Sequence, residues 1–138
     1  MTTPSPQPLA AIASYHAHVY FDGPAQREAA LALREQIGQR FSVAMGRVHD
    51  VPIGPHARAM YQVAFDVASF GKIVPWLMLN RRGLTVLVHT NTRNERADHL
   101  SHALWMGEVL AIVRPEQLAE DMDAEGPRPT NTTPSLEP

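Results

Sequence analysis

Tyr15-His16-Ala17-His18-Val19-Tyr20-Phe21 is a run of alternating side chains rich in strand-forming residues. Period two over such a stretch is the signature of a half-buried strand. Tyr15, Ala17, Val19 and Phe21 share one face; His16, His18 and Tyr20 share the other. The apolar set belongs against a core, which leaves two histidines on the opposite face. Downstream, Asp22-Gly23-Pro24 offers a cap candidate and a proline at a first helical position. Ala25 to Arg40 reads as a helix, with Ala30, Leu33, Ile37 and Phe41 along one face. A second strand is expected from Phe41 to His49. Val51-Pro52-Ile53-Gly54-Pro55 is a connection, because two prolines and a glycine break pairing.

A third strand, Met60 to Asp66, places Tyr61, Val63 and Phe65 on the core side and Gln62 on the other. Ser69 is the expected N-cap of a helix that reaches Asn80 with Pro75 in its path. Gly83 closes that helix, and Leu84 to Thr90 forms a fourth strand. Its core set is Leu84, Val86 and Val88; Thr85, Leu87 and His89 fall on the histidine face. A short helix from Glu95 to Met106 is expected after Asn94, and an edge strand from Glu108 to Val113. The order β-α-β-β-α-β predicts an α+β, ferredoxin-like domain, an antiparallel sheet with two helices on one face. The other sheet face is left open for a ligand or a partner.

Composition bounds the chemistry. The chain has 138 residues, 7 His, no Cys and a formal net charge of -2. A length near this suits one domain. The absence of Cys excludes disulfide scaffolds, thiolate zinc sites, iron–sulfur clusters and cysteine nucleophiles. The weak net charge provides no field for nucleic acid or an anionic membrane. No stretch approaches a membrane span, and the first residues lack a basic n-region and an apolar run, so a cytoplasmic location is expected. Seven of the 12 prolines lie before Leu9 or after Glu125. Residues 1–12 and the acidic, Pro-rich residues 119–138 are expected to be disordered tails flanking a domain over 13–118. Asn131-Thr132-Thr133 fits a glycosylation sequon and reads as chance.

All seven histidines lie in the central segment. His-x-His on a strand sets two imidazoles about 6.5 Å apart on one face, able to converge on one ion. In a ferredoxin-like sheet the first and last strands are neighbours, which brings His89 toward His16 and His18. Neutral imidazole suits iron, zinc, copper or nickel without choosing among them. No carboxylate falls on that sheet face. His99 and His102 share a helix face, with Asp98 beside His99 as a possible orienting group. His49 ends the second strand, and His56 sits in the connection after it. Trp76 and Trp105 read as core or interface fillers.

Several segments, taken in order, resemble the small DOPA dioxygenase family of aromatic ring-cleaving enzymes associated with betalain-type pigment chemistry. They are the opening run, then Gly54-Pro55-His56 with Met60-Tyr61-Gln62-Val63-Ala64-Phe65, and Val74-Pro75-Trp76-Leu77. Leu87-Val88-His89-Thr90-Asn91-Thr92, Asp98-His99 and Ala103-Leu104-Trp105-Met106-Gly107 complete the set, spanning about residues 14–113. Thr90 stands where the family pattern leads one to expect proline. The resemblance implies a ferredoxin-like homodimer and extradiol cleavage of a catechol, DOPA or a related aromatic, by non-haem iron(II) and O2. His16, His18 and His89 are then the expected metal ligands, with zinc the other ion such a set accepts. His56 and His99 are the expected catalytic proton carriers, near neutral pH; either can instead serve as a ligand, leaving His16 as the acid–base group. Arg47 or Arg58 is the candidate partner of a substrate carboxylate. The competing expectation is a non-catalytic, dimeric metal- or small-molecule-binding module of the same fold.

Overall fold

The computed structural model describes residues 2–138; Met1, part of the expected N-terminal tail, lies outside them. Five strands form one antiparallel sheet in the order β2-β3-β1-β4-β5. They are β1 (Ser14–Phe21), β2 (Ala44–Met45), β3 (Ala59–Phe65), β4 (Val86–Asn91) and β5 (Ala103–Met106). The helices are α1 (Gly23–Arg40), α2 (Phe70–Asn80) and the short α3 (Glu95–His99). The first four strands and the two long helices make the expected ferredoxin-like α+β unit, and β5 extends it beside β4.

Alternation in the strands sets the two faces. Ala17, Val19 and Phe21 of β1, Tyr61, Val63 and Phe65 of β3, and Val86 and Val88 of β4 pack against Ala30, Leu33 and Ile37 of α1 and Ile73, Val74 and Leu77 of α2. This is one continuous apolar core on the helix side. Tyr15 finishes it by stacking on Phe65 and Phe70, with ring centroids at 5.7 and 4.6 Å. On the opposite face Tyr20, Met60 and Leu87 form a small second cluster, on which Trp105 lies. Trp105 stacks on Tyr20 at 5.9 Å, while Trp76 packs edge-on against Phe41 on the helix side.

Four local expectations change. The second strand is regular only at Ala44–Met45, although His49 pairs again with Met60. Met45 opposes Val63 and His49 opposes Met60, so the edge carries one residue more than β3, which is a bulge. Gly46 sits in it, where an added Cβ would stand 3.1 Å from the Gln62 carbonyl oxygen. Asp66, not Ser69, caps the second helical segment: its carboxylate accepts from the Ser69 N–H and hydroxyl and opens a 3-10 turn ahead of α2. The helix after Asn94 stops at His99, and Ala103–Met106 pairs with β4 as a strand. An open ladder edge outweighs the helical reading of a short apolar run. Residues 108–113 then make no strand; Gly107, at φ +85°, turns the chain away, and only Ile112 bridges back to His56.

Residues 119–138, whose composition suggests a disordered tail, make specific contacts with the domain in the structure. Arg93 pairs with Asp121 and Asp123, and Arg96 with Glu120, beside α3. The Ser14 hydroxyl donates to the Glu125 carbonyl at the start of β1. Beyond that, the Asn131 side chain both accepts from the Met45 N–H and donates to the Met45 carbonyl, and Thr132 bonds Phe41 and Val43. The segment therefore crosses from the β4–α3 junction past β1 to the β2 edge. Among the described residues, no helix is long and apolar enough to cross a membrane.

Candidate metal centre

Five of the seven histidines meet on the open face. His16 and His89 are direct register partners across β1 and β4, and His18 follows His16 by one full pleat on the same side. His56 comes from the β2–β3 loop, held by paired backbone contacts of Pro55 and His56 with Ile112 and Val113. His99 ends α3, whose N-terminus is capped by Asn94 accepting from the Ala97 N–H. All five are buried. Ring centroids lie 5.1 Å apart for both His16–His89 and His18–His89, 4.1 Å for His18–His56 and 4.2 Å for His89–His99. One ligand nitrogen from each of His16, His18 and His89 lies within 4.8 Å of the other two; His18, His56 and His99 form a second such set.

Burial governs the protonation of this cluster. His16 and His56 are each pushed down to about 4, chiefly by removal of the charged form from water, then by the Arg128 charge and His99 for His16 and by neighbouring histidines for His56. For His16 the Glu125 carboxylate opposes that shift. His18 and His89 are held well below the ordinary imidazole value by the same burial. Four neutral imidazoles at neutral pH offer lone pairs rather than charge.

The nitrogen pattern fits a transition-metal ion. His89 Nδ1 faces the Thr90 carbonyl at 2.9 Å, which assigns its proton there and leaves Nε2 as a bare acceptor. That Nε2 stands 3.1 Å from His18 Nε2, and His18 Nδ1 is buried with no partner at all. His99 Nδ1 likewise faces the Glu95 carbonyl at 2.9 Å, freeing its Nε2. Backbone acceptors thus orient two rings so that their free nitrogens point inward, the arrangement found around metal-bound imidazoles. A nitrogen-rich, sulfur-free set suits iron, zinc, copper or nickel and not magnesium or calcium.

The remaining sequence candidates divide. Asp98 does not orient His99. It is 2% exposed and accepts from the Thr90 hydroxyl, the Thr92 N–H and hydroxyl, and His102 Nδ1. It locks the turn after β4, and the Thr90 hydroxyl supplies a bond that proline at that position would lack. His102 is engaged in that brace and His49 in edge pairing, so neither joins the cluster. Arg58 pairs with Glu108 at 3.0 Å, and neither Arg47 nor Arg58 lines the histidine cavity. The cavity arginine is Arg128.

Around the histidines lies a cavity of about 410 Å³, walled also by Gln62, Asn91, Met122, Glu125 and Arg128. The family model for the Dopa 4,5-dioxygenase family matches residues 15–114. The chain belongs to that family. Relatives include a DOPA 4,5-dioxygenase of Amanita muscaria, 34% identical over 104 residues covering 70% of this chain and 46% of that protein. An uncharacterised 21.2 kDa protein of Botryotinia fuckeliana is 36% identical over 110 residues, covering 72% of this chain and 60% of its own. The chain thus spans about half to three fifths of the curated relatives it matches. The crystal structure of a proposed dioxygenase from Nostoc punctiforme PCC 73102 is 51% identical, with a TM-score of 0.76 over 78% of this chain and 92% of that one.

All five clustered histidines lie inside the family match, whereas Met122, Glu125 and Arg128 lie beyond it. Glu125 Oε2 stands 2.6 Å from His16 Nε2, off the direction a hydrogen bond requires. This carboxylate is a cavity group that strand reasoning misses, because it belongs to no strand. Tyr20, in β1 and outside the cavity lining, supports the cluster from behind: its hydroxyl lies 2.7 Å from His56 Nδ1. Its place on the histidine face of β1 was the signal that could have found it.

Proposed function

We propose that this member of the Dopa 4,5-dioxygenase family is a metal-dependent dioxygenase that opens the ring of a catechol, DOPA or a related aromatic, by extradiol cleavage. The observation that carries this reading is the convergence of five buried imidazoles, four of them held neutral, in one cavity of small-aromatic size. His16, His18 and His89 are the proposed metal ligands, because strands give the three rings the most rigid support. Iron(II) bound there would supply Lewis acidity toward the catechol oxygens and electrons to O2; zinc would fit the same donors without redox chemistry.

His56 and His99 serve this reading as proton carriers. His56 is neutral at pH 7 and able to accept a proton from a catechol hydroxyl, with Tyr20 fixing the ring through Nδ1. His99 has its Nε2 free, its ring anchored on the Glu95 carbonyl through Nδ1. Gln62 and Asn91 add neutral polar groups to the wall.

The test is aerobic incubation of iron(II)-loaded protein with DOPA, caffeate, protocatechuate and simple catechols. Oxygen uptake with formation of a yellow ring-opened semialdehyde is the expected result. A full complement of iron with no uptake on any of them would favour the non-catalytic binding module instead.

A further inference from the structure

Part of the cavity's polar wall, Glu125 and Arg128, comes from the C-terminal segment, outside the residues the family model matches. Its central group is Glu125. One carboxylate oxygen lies 2.6 Å from His16 Nε2, and the other accepts from Arg128 Nε at 2.5 Å. The backbone beneath it is pinned: Asn91 Nδ2 donates to the Ser14 hydroxyl at 2.9 Å, and that hydroxyl donates to the Glu125 carbonyl. Anchors on both sides, Arg93 with Asp121 and Asn131 with Met45, hold the rest of the segment in place. The chain has therefore placed a carboxylate of its own between an imidazole and a guanidinium, inside a ligand-sized cavity.

We propose that Glu125 and Arg128 determine which ligands the histidine cavity accepts: Arg128 binds the carboxylate of an aromatic ligand, and Glu125 is the tethered competitor for that position. The proposal rests on reading the cavity as an aromatic-ligand site. Three features support it. The Glu125 and Arg128 side chains are 32% and 50% exposed while the Glu125 carbonyl is held by buried Ser14, so the pair can open without moving that anchor. Among the described residues, no other arginine lines the cavity. Arginine presents a planar fork matched to carboxylates, and here its Nε and Nη2 converge on a single Glu125 oxygen, Oε1.

The two residues make opposite predictions, which a merely structural role would not. Anaerobic calorimetric titration would compare 3,4-dihydroxyphenylacetate, which carries a carboxylate, with neutral 4-methylcatechol, using full-length protein of measured metal content. Glu125→Gln frees Arg128 and should tighten 3,4-dihydroxyphenylacetate about three- to tenfold. Arg128→Gln leaves Glu125 unpaired and should weaken it by a similar factor, the modest size reflecting partial exposure. Arg128→Lys should restore part of the loss, and 4-methylcatechol should change less than twofold throughout. Circular dichroism verifies that each variant is folded. Parallel shifts for both probes, or no shift for either, would overturn the assignment of Glu125 and Arg128 while leaving the aromatic site intact. Absence of binding by both probes in the unaltered protein would remove the aromatic site itself, and this assignment with it.

Discussion

His18 is the residue on which both three-histidine sets turn, since it contributes to each. His18→Ala should abolish stoichiometric metal binding, whichever set holds the ion. The proposed ligands are separated from the proton carriers by a second comparison. His89→Ala should lower metal content measured by mass spectrometry at least tenfold, while His99→Ala keeps it near that of the unaltered protein and lowers turnover. The reverse pattern would move the ion to His18, His56 and His99. Asp98 offers a test of stability rather than chemistry. It is a buried carboxylate accepting four hydrogen bonds around the turn after β4. Asp98→Ala leaves several donors unpaired and should cost about 2–4 kcal/mol in urea denaturation, with Asp98→Asn costing less.

The elements that were legible in the sequence are those whose pattern is repeated over several turns or pleats. Alternation in β1, β3 and β4 gave the correct faces, down to Gln62 and His89 on the histidine side. The triplet Ala30, Leu33 and Ile37 gave the buried stripe of α1. Where one local event decides the outcome, the pattern fell silent. A single bulge around Gly46 interrupts the second strand, and four residues after α3 become a strand because β4 has an unpaired edge to satisfy. The C-terminal segment is the clearest case. Its composition is that of a disordered chain, yet the Asn131 amide mimics a strand by giving both a donor and an acceptor to Met45. Such an arrangement depends on one side chain meeting one backbone unit and leaves no periodic trace. Asn131→Ala should accelerate amide exchange at Val43 and Met45 about tenfold while leaving the β1 and β4 amides unchanged.

At the scale of the whole molecule, the buried histidine cluster couples folding to pH. In the metal-free protein, His16 and His56 titrate near 4 when folded, and the unfolded chain titrates near the ordinary 6.5. Between those values the unfolded state binds protons that the folded state does not, so stability rises with pH across that window. Chemical denaturation from pH 7 to 4 should show metal-free stability falling by a few kcal/mol, with little further loss from these two groups below 4. Bound zinc should flatten the upper part of that curve, because the ion and the proton compete for the same nitrogens. A second whole-molecule expectation concerns assembly. β5 leaves one sheet edge unpaired, with Leu104 on it and Val109 close by, both exposed. We expect a homodimer, and sedimentation equilibrium should return twice the 15.3 kDa chain mass. The course of the C-terminal segment bears on how such a protein diversifies. The imidazole floor lies within residues 15–114, while Met122, Glu125 and Arg128 reach the cavity from beyond them. On the proposed reading, reactivity and part of the choice of ligand are carried on separate stretches of chain. Mutation, exchange or loss of the later stretch can redraw the cavity wall while every histidine keeps its place, so new ligands are accessible without rebuilding the centre that would transform them.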